Sequence, residues 1–253
     1  MTEIDQKIEN TPDTCRHIVL LGAGASKAAF PNGDANGYAL PLMNDLVKVL
    51  ELESILARNE VTCAGKNFER IFSELQFSGL KPDLVQIIEE KISNYFKKLS
   101  LPNCPTIYDH LVLSLRPKDL IATFNWDPLL SMAYSRNSGK VDLPHVAFLH
   151  GNVGIGFCLN DNMMGCVGHF CKECGTKLTP SILLYPATHK NYRDDPQIVG
   201  QWQAVENRLS RAYIFTVFGY SAPKTDAEAI ELLKQAWGPI TNRQHQEIEI
   251  IDI

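Results

Sequence analysis

The chain has 253 residues, 45% of them hydrophobic and 21% charged, with a formal net charge of −5. These values are ordinary for a globular protein and suit one large domain or a core with inserted modules. The charge gives no electrostatic reason to expect binding to nucleic acid, and no apolar stretch is long enough to cross a membrane. Residues 1–13 lack the basic and apolar regions of a signal peptide, so we expect a cytoplasmic protein.

The first predicted strand, His17–Leu21, follows a loose tail before Cys15 and runs into the small-residue turn Gly22–Ser26. Such a turn leaves backbone N–H groups at a helix start, where they can hold a pyrophosphate, and Ser26 can donate to a phosphate oxygen or cap the helix. Lys27 stands where Gly-x-Gly-x-x-Gly needs its third glycine, which disfavours a hydride-transfer dehydrogenase. A purely structural turn is the alternative.

Apolar residues at helical spacing then predict a run of helices. The loop that precedes them, Phe30–Gly37, is rich in turn formers, and we expect it to be mobile. The predicted helices are Tyr38–Arg58, Lys66–Phe77, Pro82–Leu99 and Thr106–Leu115. We interpret residues 47–116 as a helical insertion.

Strands resume after this insertion, as short apolar runs typical of buried parallel strands. The predicted strands are Asp119–Thr123, His145–Leu149, Ser181–Leu184, Ala212–Phe218 and Glu247–Ile253, and the predicted helices are Asp127–Tyr134, Asp195–Arg211 and Asp226–Trp237. This alternation predicts an α/β fold with a mostly parallel sheet and helices on both faces. Residues 15–46, 117–151 and 181–253 would form it, and residues 152–180 a cysteine-rich module.

Polar residues follow two of these strands directly. Asn125 and Asp127 come after one, and His150 comes after the next. Because open α/β sheets bind ligands at the carboxyl ends of their strands, we expect the three to share a site. An amide can hold a ribose hydroxyl or a water, a carboxylate can order the loop, and an imidazole can accept a proton. The alternatives are that Asp127 only caps the next helix and that His150 is structural.

Seven cysteines, four of them between Cys158 and Cys174, favour metal binding over disulfides. Cys171 and Cys174 have the spacing of a zinc knuckle. Cys166 and His169 repeat that spacing and complete four ligands for a structural zinc, with Cys158 as a further candidate. A degenerate ribbon of buried free thiols is the alternative.

Taken in order, these motifs resemble the sirtuin superfamily. The matching set consists of the glycine turn, Thr123–Asp127, His150–Gly151, the cysteine module and Gly219–Ser221, and it spans nearly the whole chain. The resemblance implies a Rossmann-like domain with a helical insertion and a zinc-ribbon-like module. It also implies cleavage of the nicotinamide–ribose bond of NAD.

The same resemblance assigns roles to residues. Asn125 and Asp127 would face the nicotinamide ribose, and His150 would be the catalytic base. The residues it implies for NAD binding are Gly22, Ala23, Gly24, Ser26, Thr123, Gly219 and Ser221.

Departures from the family pattern indicate which branch of the sirtuin superfamily the chain resembles. Protein-deacylating sirtuins carry Phe-Gly-Glu after the zinc module, which helps clamp the acyl-lysine peptide, whereas this chain has Leu183–Pro186. Leu40–Met43 and Gly219–Asp226 instead resemble sirtuin-like proteins of bacterial antiviral systems, which hydrolyse NAD, many of them depleting it in infected cells. An NAD glycohydrolase is thereby implied, with NAD, a second copy or a defence-system protein as its partners. A protein-lysine deacylase and a sensor that binds NAD or ADP-ribose without turnover remain open.

Overall fold

Strands and helices nearly alternate in the computed structural model, which describes residues 16–186, 190, 192–239 and 246–252. The first elements are β1 (Arg16–Leu21), α1 (Ala23–Ala29), α2 (Leu46–Val49), α3 (Glu53–Arg58), α4 (Phe68–Ser78), α5 (Pro82–Lys97) and α6 (Ile107–Ser114). Next come β2 (Leu120–Thr123), α7 (Leu129–Asn137), β3 (His145–Phe148), β4 (Ile155–Cys158), β5 (Met163–Cys166) and β6 (Thr179–Pro180). The last are α8 (Pro196–Leu209), β7 (Ala212–Phe218), a 3-10 turn (Lys224–Asp226), α9 (Ala227–Trp237) and β8 (Glu247–Ile251). The predicted loose tail before Cys15 and the final residue of the last predicted strand lie outside the described residues.

The main sheet has five parallel strands in the order β3-β2-β1-β7-β8. The chain adds β2 and β3 on one side of β1 and then returns to add β7 and β8 on the other. Leu21 at the end of β1 lies opposite Thr123 of β2 and Phe218 of β7, so the three strands end together. In such sheets ligands bind where the strand order reverses, which here is the carboxyl end of β1 and β7.

Both faces of the sheet are covered. Val19 and Leu21 of β1 point into a large core that also contains side chains from α1 to α7. Ile18 and Leu20 point to the other face, where they share a core with α8 and α9. The predicted α/β fold, with helices on both faces of a parallel sheet, is therefore confirmed. Of the helices in the described ranges, none joins enough length to enough apolar character to span a membrane.

The cysteine-rich segment forms a second, smaller sheet. Its three antiparallel strands have the order β5-β4-β6. Cys158, Cys171 and Leu178 make a small buried cluster there. The segment thus has a small buried cluster of its own, made of two cysteines and a leucine.

Two predicted elements differ in the structure. The single helix predicted over Tyr38–Arg58 is wrong, because the backbone turns at Glu51, whose φ of 53° is left-handed, and two short helices result. The strand predicted over Ser181–Leu184 is also wrong. Its N–H groups donate to different segments, that of Ser181 to Ile155 and that of Leu184 to His150, and no regular ladder forms.

The loop Phe30–Gly37, predicted to be mobile, is tied to its surroundings by one carboxylate. Asp34 accepts hydrogen bonds from the backbone N–H groups of Asn36, Tyr38 and Ser100 at 2.8, 2.8 and 2.7 Å. Ala35 adds a backbone bond to the carbonyl of Ser100. These bonds anchor the loop to the segment that follows α5.

The turn after β1 packs directly on the turn after β7. The N–H of Gly22 donates to the carbonyl of Phe218 at 3.0 Å, and that of Gly24 donates to the carbonyl of Gly219 at 2.9 Å. A Cβ atom on Gly24 would lie 2.7 Å from Cα of Gly219, which itself has a φ of 62°. Only glycine therefore allows the two backbones to approach this closely.

Replacing Gly24 by alanine should lower the free energy of unfolding by about 1–3 kcal/mol, because the methyl group would push the two turns apart. Urea denaturation measures the change. Gly200 is the matched control, since it lies in α8 and an added Cβ atom there meets nothing within 4 Å. Gly200→Ala should stabilise by about 0.5–1 kcal/mol. A Gly24→Ala variant as stable as Gly200→Ala would contradict the close approach.

Candidate active site

A cavity of about 800 Å³ lies at the carboxyl ends of the central strands, where the strand order reverses. This volume is typical of small-molecule sites. Other walls come from the segment 40–46 and from α4. Most of the residues that the sequence predicted for the site line it: Gly22, Ala23, Gly24, Ser26, Asn125, Asp127, His150, Gly219 and Ser221.

The amide of Asn125 is oriented by buried hydrogen bonds. Its Nδ2 donates to the carbonyl of Gly22 and to Oγ of Ser26, both at 2.9 Å. The hydroxyl of Tyr108 lies 2.6 Å from Oγ of Ser26 and completes the network. Within the described ranges no group donates to Oδ1 of Asn125, so this oxygen is available to accept from a ligand in the cavity.

Asp127 binds within the protein through both carboxylate oxygens. Oδ2 accepts from the hydroxyl of Ser26 at 2.7 Å, and Oδ1 accepts from the N–H of Leu129 at 3.1 Å, at the start of α7. Burial raises the pKa of this carboxyl. These contacts favour a role in ordering the loop and Ser26 over direct contact with a sugar.

Thr123 supports Asn125 from behind. Its Oγ1 accepts from the backbone N–H of Asn125 at 3.0 Å, and its side chain is buried at the end of β2. Thr123 is absent from the described cavity lining, unlike the other residues predicted to bind NAD.

The ring of His150 is 5% exposed and lies against the ring of Phe124, with 4.5 Å between centroids. Its Nε2 is 2.7 Å from the hydroxyl of Tyr192. Burial, and then the positive charge of Lys190, hold the pKa of His150 well below its ordinary value of 6.5. The imidazole is therefore neutral at neutral pH, which is the form that accepts a proton.

A buried charge pair adjoins His150. Lys190 forms an ion pair with Oδ1 of Asp226, and the hydroxyl of Tyr220 donates to Oδ2 of Asp226 at 3.0 Å. Glu69 of α4 faces the same pair: burial raises its pKa, and the charge of Lys190 opposes that rise. Lys190 and Tyr192 were not found from the sequence, because they lie in a segment without hydrophobic period and no local pattern shows that they face His150.

Asn152, also missed from the sequence, joins the two site loops. Its Nδ2 donates to the carbonyls of Asn125 and Asp127 at 3.2 and 2.6 Å, and its Oδ1 accepts from the N–H of Gly154. An asparagine two residues after a candidate catalytic histidine is a sequence signal that could have found it. The side chain holds the loop after β2 beside the loop after β3.

Three thiols and one carboxylate converge in the small sheet. The ligand atoms of Cys158, Asp161, Cys171 and Cys174 all lie within 4.8 Å of one another. Oδ2 of Asp161 is 3.3 Å from the sulfur of Cys158 and 3.2 Å from that of Cys171. Tetrahedral zinc, with its short bonds, spaces such ligands roughly 3.6–3.8 Å apart. The donor set therefore fits a structural zinc that has no open coordination position.

The structure brings together only part of the predicted ligand set. Cys171 and Cys174 belong to the cluster, whereas Cys166 and His169 do not. Cys166 pairs with Ile155 at the other end of the β4–β5 ladder, and its sulfur lies 3.5 Å from a serine hydroxyl on α7. Cys158 and Asp161 take the two places instead. Their spacing is that of a knuckle with aspartate as the second ligand, and this pattern is the signal that was missed.

Neither a protein-family profile nor a curated protein sequence matches this chain. Similar solved structures include a Sir2 homologue in complex with NAD, at 17% identity and a TM-score of 0.36, which covers 98% of this chain and 89% of that one. A Sir2 variant with a deacetylated p53 peptide and 3'-O-acetyl-ADP-ribose has 18% identity and a TM-score of 0.41, covering 93% and 80%. A third structure is Sir2 with an inhibitor, 2'-O-acetyl-ADP-ribose and a deacetylated p53 peptide. Its sequence identity is 16% and its TM-score 0.43, and the match covers 100% of this chain and 86% of that one. These likenesses are loose and carry no assignment of function.

The purified protein should contain a single zinc, and Cys158→Ser should release it and lower the melting temperature. Mass spectrometry of metal content and thermal unfolding measure the two effects. Cys166→Ser is the matched control and should keep the metal. The reverse outcome, with metal lost from Cys166→Ser and kept in Cys158→Ser, would favour the set Cys166, His169, Cys171 and Cys174.

Proposed function

We propose that this protein is an NAD glycohydrolase that releases nicotinamide and ADP-ribose. One observation carries the proposal: Asn125 and His150 line a single cavity together with the turns Gly22–Ser26 and Gly219–Ser221. The cavity lies where the strand order reverses, which is the place where α/β sheets bind nucleotides. The resemblance of the same motifs to sirtuins supports NAD as the substrate.

The chain's own groups supply the chemistry. The N–H groups of Gly22 and Gly24 bind the neighbouring turn, so the phosphates would meet the N–H of Ala23 and the small surface around it. Oδ1 of Asn125 would accept from a ribose hydroxyl or from the attacking water. As the bond to ribose breaks, its electron pair leaves with nicotinamide. Water then bonds to the ribose carbon, and neutral His150 takes the proton that water loses.

The stretch Leu183–Pro186 supports water over a peptide as the acceptor. A peptide strand that adds to a protein needs unpaired backbone groups. Here the N–H of Leu184 donates to the carbonyl of His150 at 2.9 Å, and its carbonyl accepts from the indole of Trp126 at 3.2 Å. The last carbonyl of the stretch accepts from the hydroxyl of Ser73 at 3.0 Å. These backbone groups of Leu184 and Pro186 are thus already bonded within the protein and do not offer themselves to a peptide strand.

The biological role that we propose is depletion of NAD in antiviral defence. Leu40–Met43 and residues 219–226, the two stretches that resemble sirtuin-like defence proteins, both contribute to the cavity wall. Such an enzyme would act in the cytoplasm, where it meets NAD. A second copy of the chain, or a protein of the same defence system, would restrain it.

His150→Ala and Asn125→Ala should each slow the release of nicotinamide by about 10²- to 10⁴-fold, because each removes a group that acts on the reacting atoms. Chromatography of nicotinamide and ADP-ribose measures the rate, and thermal unfolding checks that each variant folds. His110→Ala is the control, since His110 is an exposed histidine on α6. Full activity in both site variants would overturn the assignment.

Assays of the unmodified protein with NAD, with and without a peptide, distinguish the three candidate functions. Hydrolysis without any peptide supports the glycohydrolase. If NAD is consumed only with an acetyl-lysine peptide and O-acetyl-ADP-ribose forms, the protein is a deacylase. If NAD binds tightly and nicotinamide is not released over hours, it is a sensor.

The pH dependence of hydrolysis should reflect the low pKa of His150. The base works only when neutral, and a lowered pKa keeps it neutral at more acidic pH. We therefore expect kcat/KM to stay level from about pH 8 to about pH 6 and to fall only below that. Steady-state kinetics across this range provide the measurement. A fall centred on the ordinary histidine value of 6.5 would contradict a desolvated base.

A further inference from the structure

One of the two ring nitrogens of His150 is held by the protein. Its Nε2 lies 2.7 Å from the hydroxyl of Tyr192, a side chain that is itself buried. Within the described part of the chain, Nδ1 has no hydrogen-bond partner. In a neutral imidazole one nitrogen carries the proton, and because the hydroxyl of Tyr192 can pair with either form, another group near the ring must decide which.

A carboxylate lies on the Nε2 side of the ring. Oδ1 of Asp226 is 3.9 Å from Nε2, and both side chains are almost fully buried. A negative charge at this distance, away from water, favours a proton on the nearer nitrogen. Asp226 is itself fixed, since Lys190 binds Oδ1 and the hydroxyl of Tyr220 donates to Oδ2.

We infer that Tyr192 and Asp226 are positioning residues that hold His150 with its proton on Nε2, so that Nδ1 is the nitrogen that accepts a proton. Nε2–H donates to the oxygen of Tyr192 in this tautomer. The role of Nδ1 in turnover rests on the proposed hydrolysis of NAD, whereas the tautomer is a property of the free protein. When the attacking water gives its proton to Nδ1, the resulting imidazolium lies beside the carboxylate of Asp226.

Lys190 keeps the ring of His150 neutral although the carboxylate of Asp226 lies close to it. Its positive charge pairs with Asp226 and lowers the pKa of His150. The ionisable groups near the ring come from three parts of the chain: Lys190 and Tyr192 before α8, Tyr220 and Asp226 after β7, and Glu69 on α4, which faces Lys190 and Asp226. The carboxylate thus selects the nitrogen that carries the proton, while the ammonium keeps the other nitrogen unprotonated.

Nitrogen NMR of protein labelled with ¹⁵N-histidine tests the tautomer without NAD. The signals missing in His150→Gln identify His150. At neutral pH we expect them to report a protonated Nε2 and an unprotonated Nδ1. A major Nδ1–H tautomer in the parent protein would overturn the inference. In Tyr192→Phe and Asp226→Asn the two forms should mix, and spectra unchanged in both variants would also overturn it.

Kinetics test the consequence for turnover. Tyr192→Phe keeps the ring packing but removes the hydroxyl, so kcat should fall by about tenfold or more while KM stays within about twofold. Tyr134→Phe is the control, since Tyr134 lies on α7 and is absent from the described cavity lining. An unchanged kcat in Tyr192→Phe would count against the positioning role.

The variant Asp226→Asn leaves Lys190 buried without its partner and can lose the fold. The double variant Lys190→Met with Asp226→Asn removes both charges and keeps the test possible. With the carboxylate gone, it should show mixed tautomers, and a pure Nε2–H form there would exclude Asp226 as the selecting group.

If the parent protein has the expected tautomer but does not hydrolyse NAD, the proposed function fails and the inference on the ring stands. If it hydrolyses NAD with an Nδ1–H ring, only the inference fails.

Discussion

The close approach of two backbones at the end of the central strands is the constraint on which the rest of the molecule depends. Gly24 and Gly219 touch so closely that a methyl group on Gly24 would collide with the neighbouring turn. This contact joins the loop after β1 to the loop after β7 and places both beside the loops after β2 and β3. Because the strands end in register, the polar residues that follow them meet around one cavity.

Burial determines what these polar groups do. Inside a protein a polar group must find partners, and a charge must be paired. The amide nitrogen of Asn125 and both oxygens of Asp127 meet this need within the chain, which leaves the amide oxygen for a ligand. His150 meets it by staying neutral, and Lys190 and Asp226 meet it by pairing with each other. The site therefore combines a neutral base with a compensated charge pair.

The elements whose apolar residues form a clear pattern along the chain were those that the sequence could predict. The strand before Gly22 and the helices Phe68–Ser78 and Pro82–Lys97 lie within a few residues of their predicted bounds. A continuous apolar run marks the strand, and apolar residues three or four positions apart mark the helices. The segment 181–184 was misjudged because its N–H groups donate to two different segments instead of pairing with one neighbouring strand. A short apolar run has no local feature that separates these two outcomes.

Sequence by itself determined the α/β class, the glycine turn, and the placing of Asn125 and His150 after neighbouring strands, since these follow from hydrophobic period and from the direction of parallel strands. Tertiary structure alone decided which groups surround them. Tyr192 and Asp226 reach His150 from distant parts of the chain, and Asp161 joins the cysteines where Cys166 was expected. The physical reason is that hydrogen bonds, charge pairing and ligand geometry act over a few ångströms in space, whatever the separation along the chain.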